Sequence, residues 1–234
     1  MKQENKVLAL LLCAVLLVGT SVMGTLAYLT SQDQVVNTFT VGKVEITLDE
    51  ADVDENGQYV TNHDSRVKTN AYHLLPGHTY YKDPTVTVLN GSEESFVRMM
   101  VTVNYSNELD AIFAPDGVDL MDIFTGYDST QWALNGITKD AAANTRTYEF
   151  RYVGADNKGT KAGTVAAAMN GNIVLDDLFE GFTIPDGIDQ DQLATLVTTN
   201  ESGNITSQFT ITVVANAIQA DGFADADAAW AAFN

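Results

Sequence analysis

Short runs of alternating apolar and polar residues cover most of this chain, broken by turn residues every roughly 8–15 positions. Phe39 and Val41, then Val44, Ile46 and Leu48, alternate with Thr, Lys and Glu; the change of phase near Gly42 predicts a bulge or bend in a strand running from Thr38 to Leu48. Asn56-Gly57 closes a tight hairpin, and Gln58 to Thr69 returns as a weak edge strand. Leu75-Pro76-Gly77 is a second turn, where Gly77 supplies the positive φ of a type II geometry. Val86 and Val88 share a face of the next strand, which Asn90-Gly91 ends. Ser95 to Asn104 is so rich in apolar residues that it reads as a strand buried on both faces.

The middle, 109–202, is less regular. Asp119 to Phe124 predicts one or two helical turns, and Trp132 and Leu134 a short strand entering an Asn135-Gly136 turn. Thr145 to Val153 is a strand with Tyr148, Phe150 and Tyr152 on one face, a row that is either core or a carbohydrate platform. Leu175, Leu178, Phe179 and Phe182 fall at helical spacing, followed by a strand into Pro185, and Gln190 to Thr198 reads as a short helix. Ile205 to Ala217 is the strongest β signal. The tail from Asp221 to Phe233 is helical, with Phe223, Ala226, Trp230 and Phe233 near one face. Many short strands and few long helices predict a mainly β, antiparallel β-sandwich with short helical insertions and a C-terminal helix.

The N-terminus departs from this pattern. Lys2 and Lys6 precede an apolar run from Val7 to Val18, and Thr25-Leu26-Ala27 places small residues at the −3 and −1 positions of a signal-peptidase site. The run is too short to be read as a membrane-spanning helix. The expectation is a signal peptide over 1–27, cut between Ala27 and Tyr28, and a single exported domain over 28–234. Cys13, the only cysteine, lies in the leader, which leaves the domain without disulfides or thiol chemistry. Removing Lys2, Lys6 and Glu4 takes 12 basic and 31 acidic side chains to ten and thirty. Such an acidic surface repels nucleic acid and anionic membranes, so contact with a membrane is expected only through the uncleaved leader.

Candidate chemistry is sparse. Asp52, Asp54 and Asn56 occupy the first, third and fifth places of a calcium loop, with Gly57 in the sixth. His63 stands where the bidentate Glu belongs, so the stretch reads first as a hairpin turn and second as a weak calcium site; no other cofactor is expected. His63, His73 and His78 lie close in sequence and are the candidate zinc ligands, but no H-E-x-x-H motif frames them. There is likewise no G-x-S-x-G elbow and no Gly-rich phosphate loop.

Several stretches together resemble the TasA/camelysin family of Gram-positive secreted proteins. They are the junction Ala27-Tyr28, then Thr38, Phe39, Gly42, Ile46 and Leu48; the turn Leu75-Pro76-Gly77 with Lys82 and a strand ending at Asn90; and the last strand, Phe209 to Ala220. The likeness is weaker over 109–202. It implies a jelly-roll form of the sandwich, cleavage by a SipW-type signal peptidase, and a structural protein of the extracellular or biofilm matrix that assembles with itself or a related subunit. A strand freed by cleavage, with Val35, Val36, Phe39 and Val41 as its apolar anchors, is suited to add to an open sheet edge of a neighbour. The alternatives are a camelysin-like cell-surface metallopeptidase and a monomeric adhesin or carbohydrate-binding module.

Overall fold

Backbone hydrogen bonding, more than local propensity, decides which segments become strands. The computed structural model describes residues 42–60, 65–113 and 120–233. It is mainly β, 39% strand and 13% helix, with antiparallel sheets and, among these described residues, three α-helices. Thirteen strands are described: β1 (Ile46–Ala51), β2 (Arg66–Val67), β3 (Thr79–Tyr81), β4 (Thr85–Val88), β5 (Ser95–Asn104), β6 (Phe124–Thr125), β7 (Trp132–Asp140), β8 (Thr145–Tyr152), β9 (Ile173–Val174), β10 (Gly181–Thr183), β11 (Val197–Thr199), β12 (Ile205–Gln208) and β13 (Ile211–Gln219). The helices are α1 (Ser106–Phe113), α2 (Gln190–Ala194) and α3 (Ala226–Ala232), with a 3-10 turn at Leu120–Ile123. Two four-stranded sheets, β2-β1-β4-β9 and β13-β5-β8-β7, accompany a three-stranded sheet, β3-β10-β6, and the β11-β12 hairpin.

One apolar core draws on both four-stranded sheets. Val86 and Val88 enter it from β4, Val97, Met99, Val101 and Val103 from β5, and Tyr148, Phe150 and Tyr152 from β8. The tyrosine row therefore belongs to the core. Alternation in β5 is real: its odd positions are buried, while Arg98, Met100, Thr102 and Asn104 are half-buried. On that second face, Phe96 packs with Ala220, which follows β13, and with Ala229 and Trp230 of the C-terminal helix. Asp225 caps this helix by accepting from the Ala228 amide at 2.9 Å, and the Arg98 guanidinium lies 4.3 Å from the Trp230 ring centroid.

Four expectations about local structure differ from what is observed. Asn135-Gly136 is not a turn; β7 continues to Asp140, absorbing the pair as a bulge between Leu134 and Gly136. The reversal comes at 140–144, where the Asp140 carboxylate accepts from the Ala142 and Ala143 amides and Asn144 adopts φ 52°. No helix forms between Ile173 and Ile184, because the amides of Leu175, Leu178 and Glu180 donate to the carbonyls of Val86, Pro84 and Thr125. The α2 helix, closed by a capping box between Asp189 and Gln192, stops at Ala194; the β-branched residues Val197, Thr198 and Thr199 pair instead with β12. The long strand expected from Ile205 is broken at Phe209. There the Asn104 side chain donates to the Gln208 carbonyl at 2.9 Å and accepts from the Thr210 amide at 2.7 Å, as the chain passes from β12 to β13.

Other expectations match. The Asp54–Gly57 turn has Gly57 at φ 70°, and the turn after Leu75 has Gly77 at φ 69°. The return strand after Gln58 is represented by β2 and by a bridge between Val53 and Tyr59.

The loop before β9 is anchored by one carboxylate. Glu94 accepts from the Thr160 hydroxyl at 2.7 Å, the Lys161 amide at 2.9 Å and the Thr164 hydroxyl at 2.6 Å. Burial acts to raise its pKa, but these hydrogen bonds outweigh burial and hold it at about 2. An unfolded Glu titrates near ~4.3, so the stabilisation is complete above that value and is lost as pH falls through about 2. Glu94→Gln is expected to flatten the loss of thermal stability between about pH 5 and 2, measured by circular dichroism melts across that range.

Candidate functional site

A concavity follows from the way β1 and β13 belong to different sheets. Between them opens a groove of about 880 Å³. One wall is the end of β1, Leu48 to Glu50, with the segment 67–74; the other is Gln208 to Val213. Lys82 and Phe182 also line it, and Leu193, Leu196 and Val197 reach it from α2 and the start of β11.

Among the described residues, β13 pairs with β5 alone, so its other backbone edge carries no strand. The side chains that β13 turns toward the core are only half-buried: Ile211, Val213, Ala215 and Ala217. Across the groove, Leu48 of β1 is half-buried against the same core, as is Ile46 earlier in that strand. A sheet edge flanked by incompletely covered apolar side chains is the geometry that accepts an added strand.

Polar groups organise the β1 wall. Glu50 and Lys82 form an ion pair, with both side chains more than nine-tenths buried. The Asn70 carboxamide donates to Glu50 Oε1 at 3.0 Å and to the Ala51 carbonyl at 2.8 Å, and its Oδ1 accepts from the Val53 amide at 3.1 Å. Arg66 bridges Asp49 at 2.8 Å and Asp83 at 2.6 Å. Burial works against its charge, but the hydrogen bonds it donates to Asp49 and Asp83 more than offset that and raise its pKa. The Tyr72 hydroxyl donates to the Tyr81 carbonyl at 3.0 Å; burial first, and then the Glu50 charge, push its pKa well above the ordinary phenol value. Lys68 donates to the Leu48 carbonyl. Nothing in the spacing of Glu50, Asn70 and Lys82 marks them as a set: they stand on three separate segments, and only the pairing of β1 with β2 and the path into β3 brings them together.

The sequence candidates fall elsewhere. In the calcium stretch, the Asp54 carboxylate accepts from the Asn56 and Gln58 amides, both at 2.9 Å, and Asp52 accepts from the Ser65 hydroxyl at 3.4 Å. The Asn56 carbonyl meets Nε2 of His78 at 2.8 Å. These contacts build the turn. His78 packs its ring edge on Tyr80, with centroids 4.6 Å apart, while exposed His73 offers its backbone carbonyl to the Tyr80 hydroxyl at 2.6 Å. Among the described residues no group of three or more His, Cys, Asp and Glu side chains is arranged to hold a metal ion. His63, the cleavage pair Ala27 and Tyr28, and the anchors Val35, Val36, Phe39 and Val41 lie outside the described residues.

No protein-family model, curated protein or solved structure matches this chain.

Proposed function

We propose that this chain is an exported structural subunit of an extracellular matrix, a jelly-roll sandwich of the TasA/camelysin kind, that polymerises by donating its N-terminal strand. The observation that carries the reading is the edge of β13 beside the groove, which carries no strand among the described residues, with Ile211, Val213 and Leu48 left half-buried around the groove.

In this reading a SipW-type signal peptidase cuts between Ala27 and Tyr28. Residues 28–41 of one subunit then lie along β13 of the next. Fourteen extended residues span about 46 Å at ~3.3 Å each, ample for the nine residues of β13. Val35, Phe39 and Val41 share one face of an extended strand and fill the groove, while Val36 takes the opposite face. Donor and acceptor are different surfaces of one subunit, so the contact is head-to-tail and propagates into a filament. An attached leader holds the donor at the membrane and delays assembly until cleavage. The acidic surface opposes association near neutral pH, and protonation of carboxylates relieves that repulsion.

Electron microscopy of protein beginning at Tyr28, at neutral and mildly acidic pH, is expected to show filaments. Protein beginning at Gly42 is expected to form none, yet to bind a labelled 28–41 peptide. Filaments from the Gly42 form exclude strand donation, and persistent monomers of the Tyr28 form exclude self-assembly.

A further inference from the structure

We propose that Lys82 and Asn70 condense into an intramolecular isopeptide bond, with Glu50 as the acid–base catalyst. The inference rests on the geometry of the three side chains and stands independently of whether the protein forms filaments.

An amine and a carboxamide react only when the amine is neutral, the two are held together, and the leaving nitrogen receives a proton. Each requirement has a group in place. The Lys82 ammonium and the Asn70 Nδ2 bond to the two oxygens of a single carboxylate, Oε2 and Oε1 of Glu50. Glu50 and Lys82 are 6% and 7% exposed, so the amine and the carboxylate are largely shielded from bulk water, while Asn70 is half-buried beside them. The carboxamide cannot rotate away: Nδ2 is also held by the Ala51 carbonyl at 2.8 Å. Its Oδ1 accepts from the Val53 amide at 3.1 Å, a donor aimed at the oxygen on which negative charge develops. Fixed proximity of this kind replaces an encounter in solution by a first-order step.

The step balances without any co-reactant. A proton passes from Nζ of Lys82 to Oε2 of Glu50, and the freed amine attacks Cγ of Asn70. The tetrahedral intermediate carries its charge on Oδ1, facing the Val53 N–H. Glu50 delivers a proton to Nδ2, the Cγ–Nδ2 bond breaks, and ammonia leaves, taking the remaining proton released from Nζ as ammonium. One C–N bond forms, one breaks, and nothing is oxidised or reduced. The product ties the segment after β2 to the end of β3, along the β1 wall of the groove. A structural ion pair would need only Glu50 and Lys82. The carboxamide locked against the same carboxylate, with its own carbonyl oxygen on a backbone donor, is what distinguishes a reactive set.

Mass spectrometry of the full chain as purified tests this directly. The intact protein is expected to be lighter than its sequence by about 17 Da, the mass of ammonia. Trypsin has one site between Lys68 and Arg98, at Lys82. The cross-linked protein is therefore expected to yield residues 69–98 as one peptide, lighter by ammonia, with no fragment ions from bonds between 70 and 82. Lys82→Arg, Asn70→Ala and Glu50→Gln are each expected to restore full mass in this region. Recovery of separate peptides 69–82 and 83–98 from the unsubstituted chain overturns the proposal, whether the first has full mass or carries a ring-closed Asn70. So does an ammonia deficit in this region that survives Lys82→Arg. The decisive reading is on the unsubstituted protein and does not depend on any variant folding.

Discussion

Trp132→Ala is expected to lower the stability of the folded chain by about 3–5 kcal/mol, the cost of emptying a large aromatic site in a packed core. Trp132 is fully buried. It opens β7 opposite Tyr152, whose ring meets it edge-on at a centroid distance of 5.2 Å. Its indole Nε1 donates to the Asp176 carbonyl at 2.9 Å, so the side chain also fixes the loop after β9. Its own carbonyl accepts from the Tyr127 hydroxyl at 2.7 Å, which in turn accepts from the Leu134 amide at 3.2 Å. Truncation removes packing from the core and leaves the Asp176 carbonyl without its donor. Trp132→Phe, which keeps most of the volume, is expected to cost less, and the difference between the two isolates the cavity from the lost hydrogen bond. Urea unfolding followed by circular dichroism measures both. A loss below about 1 kcal/mol for the Ala variant would mean that the site collapses around the substitution.

How far such effects were readable in the sequence depends on what holds each segment. Alternation identified β4, β8 and β13, because a strand with one buried face must repeat every second residue, whereas β5 was expected to be buried on both faces and its alternation shows only in the structure. The turns at Asn56-Gly57 and Leu75-Pro76-Gly77 were legible because positive φ favours glycine. Helical spacing failed over 173–184. Leu175, Leu178, Phe179 and Phe182 are all buried, but their backbone is claimed by Val86, Pro84 and Thr125, partners that periodicity cannot see. The β12–β13 break was hidden for the same reason: it is made by Asn104, about a hundred residues earlier in the chain. An open sheet edge was expected only as a need of the donor strand; among the described residues, β13 carries no strand on one side. Its location beside β1, and the Glu50–Asn70–Lys82 set, required the tertiary structure. The carboxylates singled out by spacing, Asp52 and Asp54, accept hydrogen bonds at their turn, while Glu50, with no sequence mark at all, is the buried one.

Tyr80→Ala is expected to cost a similar 3–5 kcal/mol, and to act on the groove as well as the core. Tyr80 is fully buried in β3 and stacks on Phe182 at 4.9 Å, with Tyr72 edge-on at 5.7 Å. Its hydroxyl donates to the His73 carbonyl at 2.6 Å and accepts from the Leu75 amide at 2.7 Å, pinning the segment that forms part of the β1 wall. Two glycines testify to how closely the chain wraps it. A Cβ on Gly181 would lie 2.3 Å from the Tyr80 carbonyl oxygen, and one on Gly57 would lie 2.7 Å from the Tyr80 Cα. Tyr80→Phe keeps the stack and removes only the hydroxyl, leaving the Leu75 amide and His73 carbonyl unmatched. It is expected to cost about 1–3 kcal/mol while preserving a cooperative unfolding transition. The phenylalanine variant therefore separates the two roles of this residue. If the segment 72–75 shapes the acceptor groove, the Gly42 form carrying Tyr80→Phe binds the 28–41 peptide more weakly than a Trp132→Phe variant of comparable stability, as read by fluorescence anisotropy. Equal affinities would place the strand's binding energy on β13 and α2, away from the wall that Tyr80 supports.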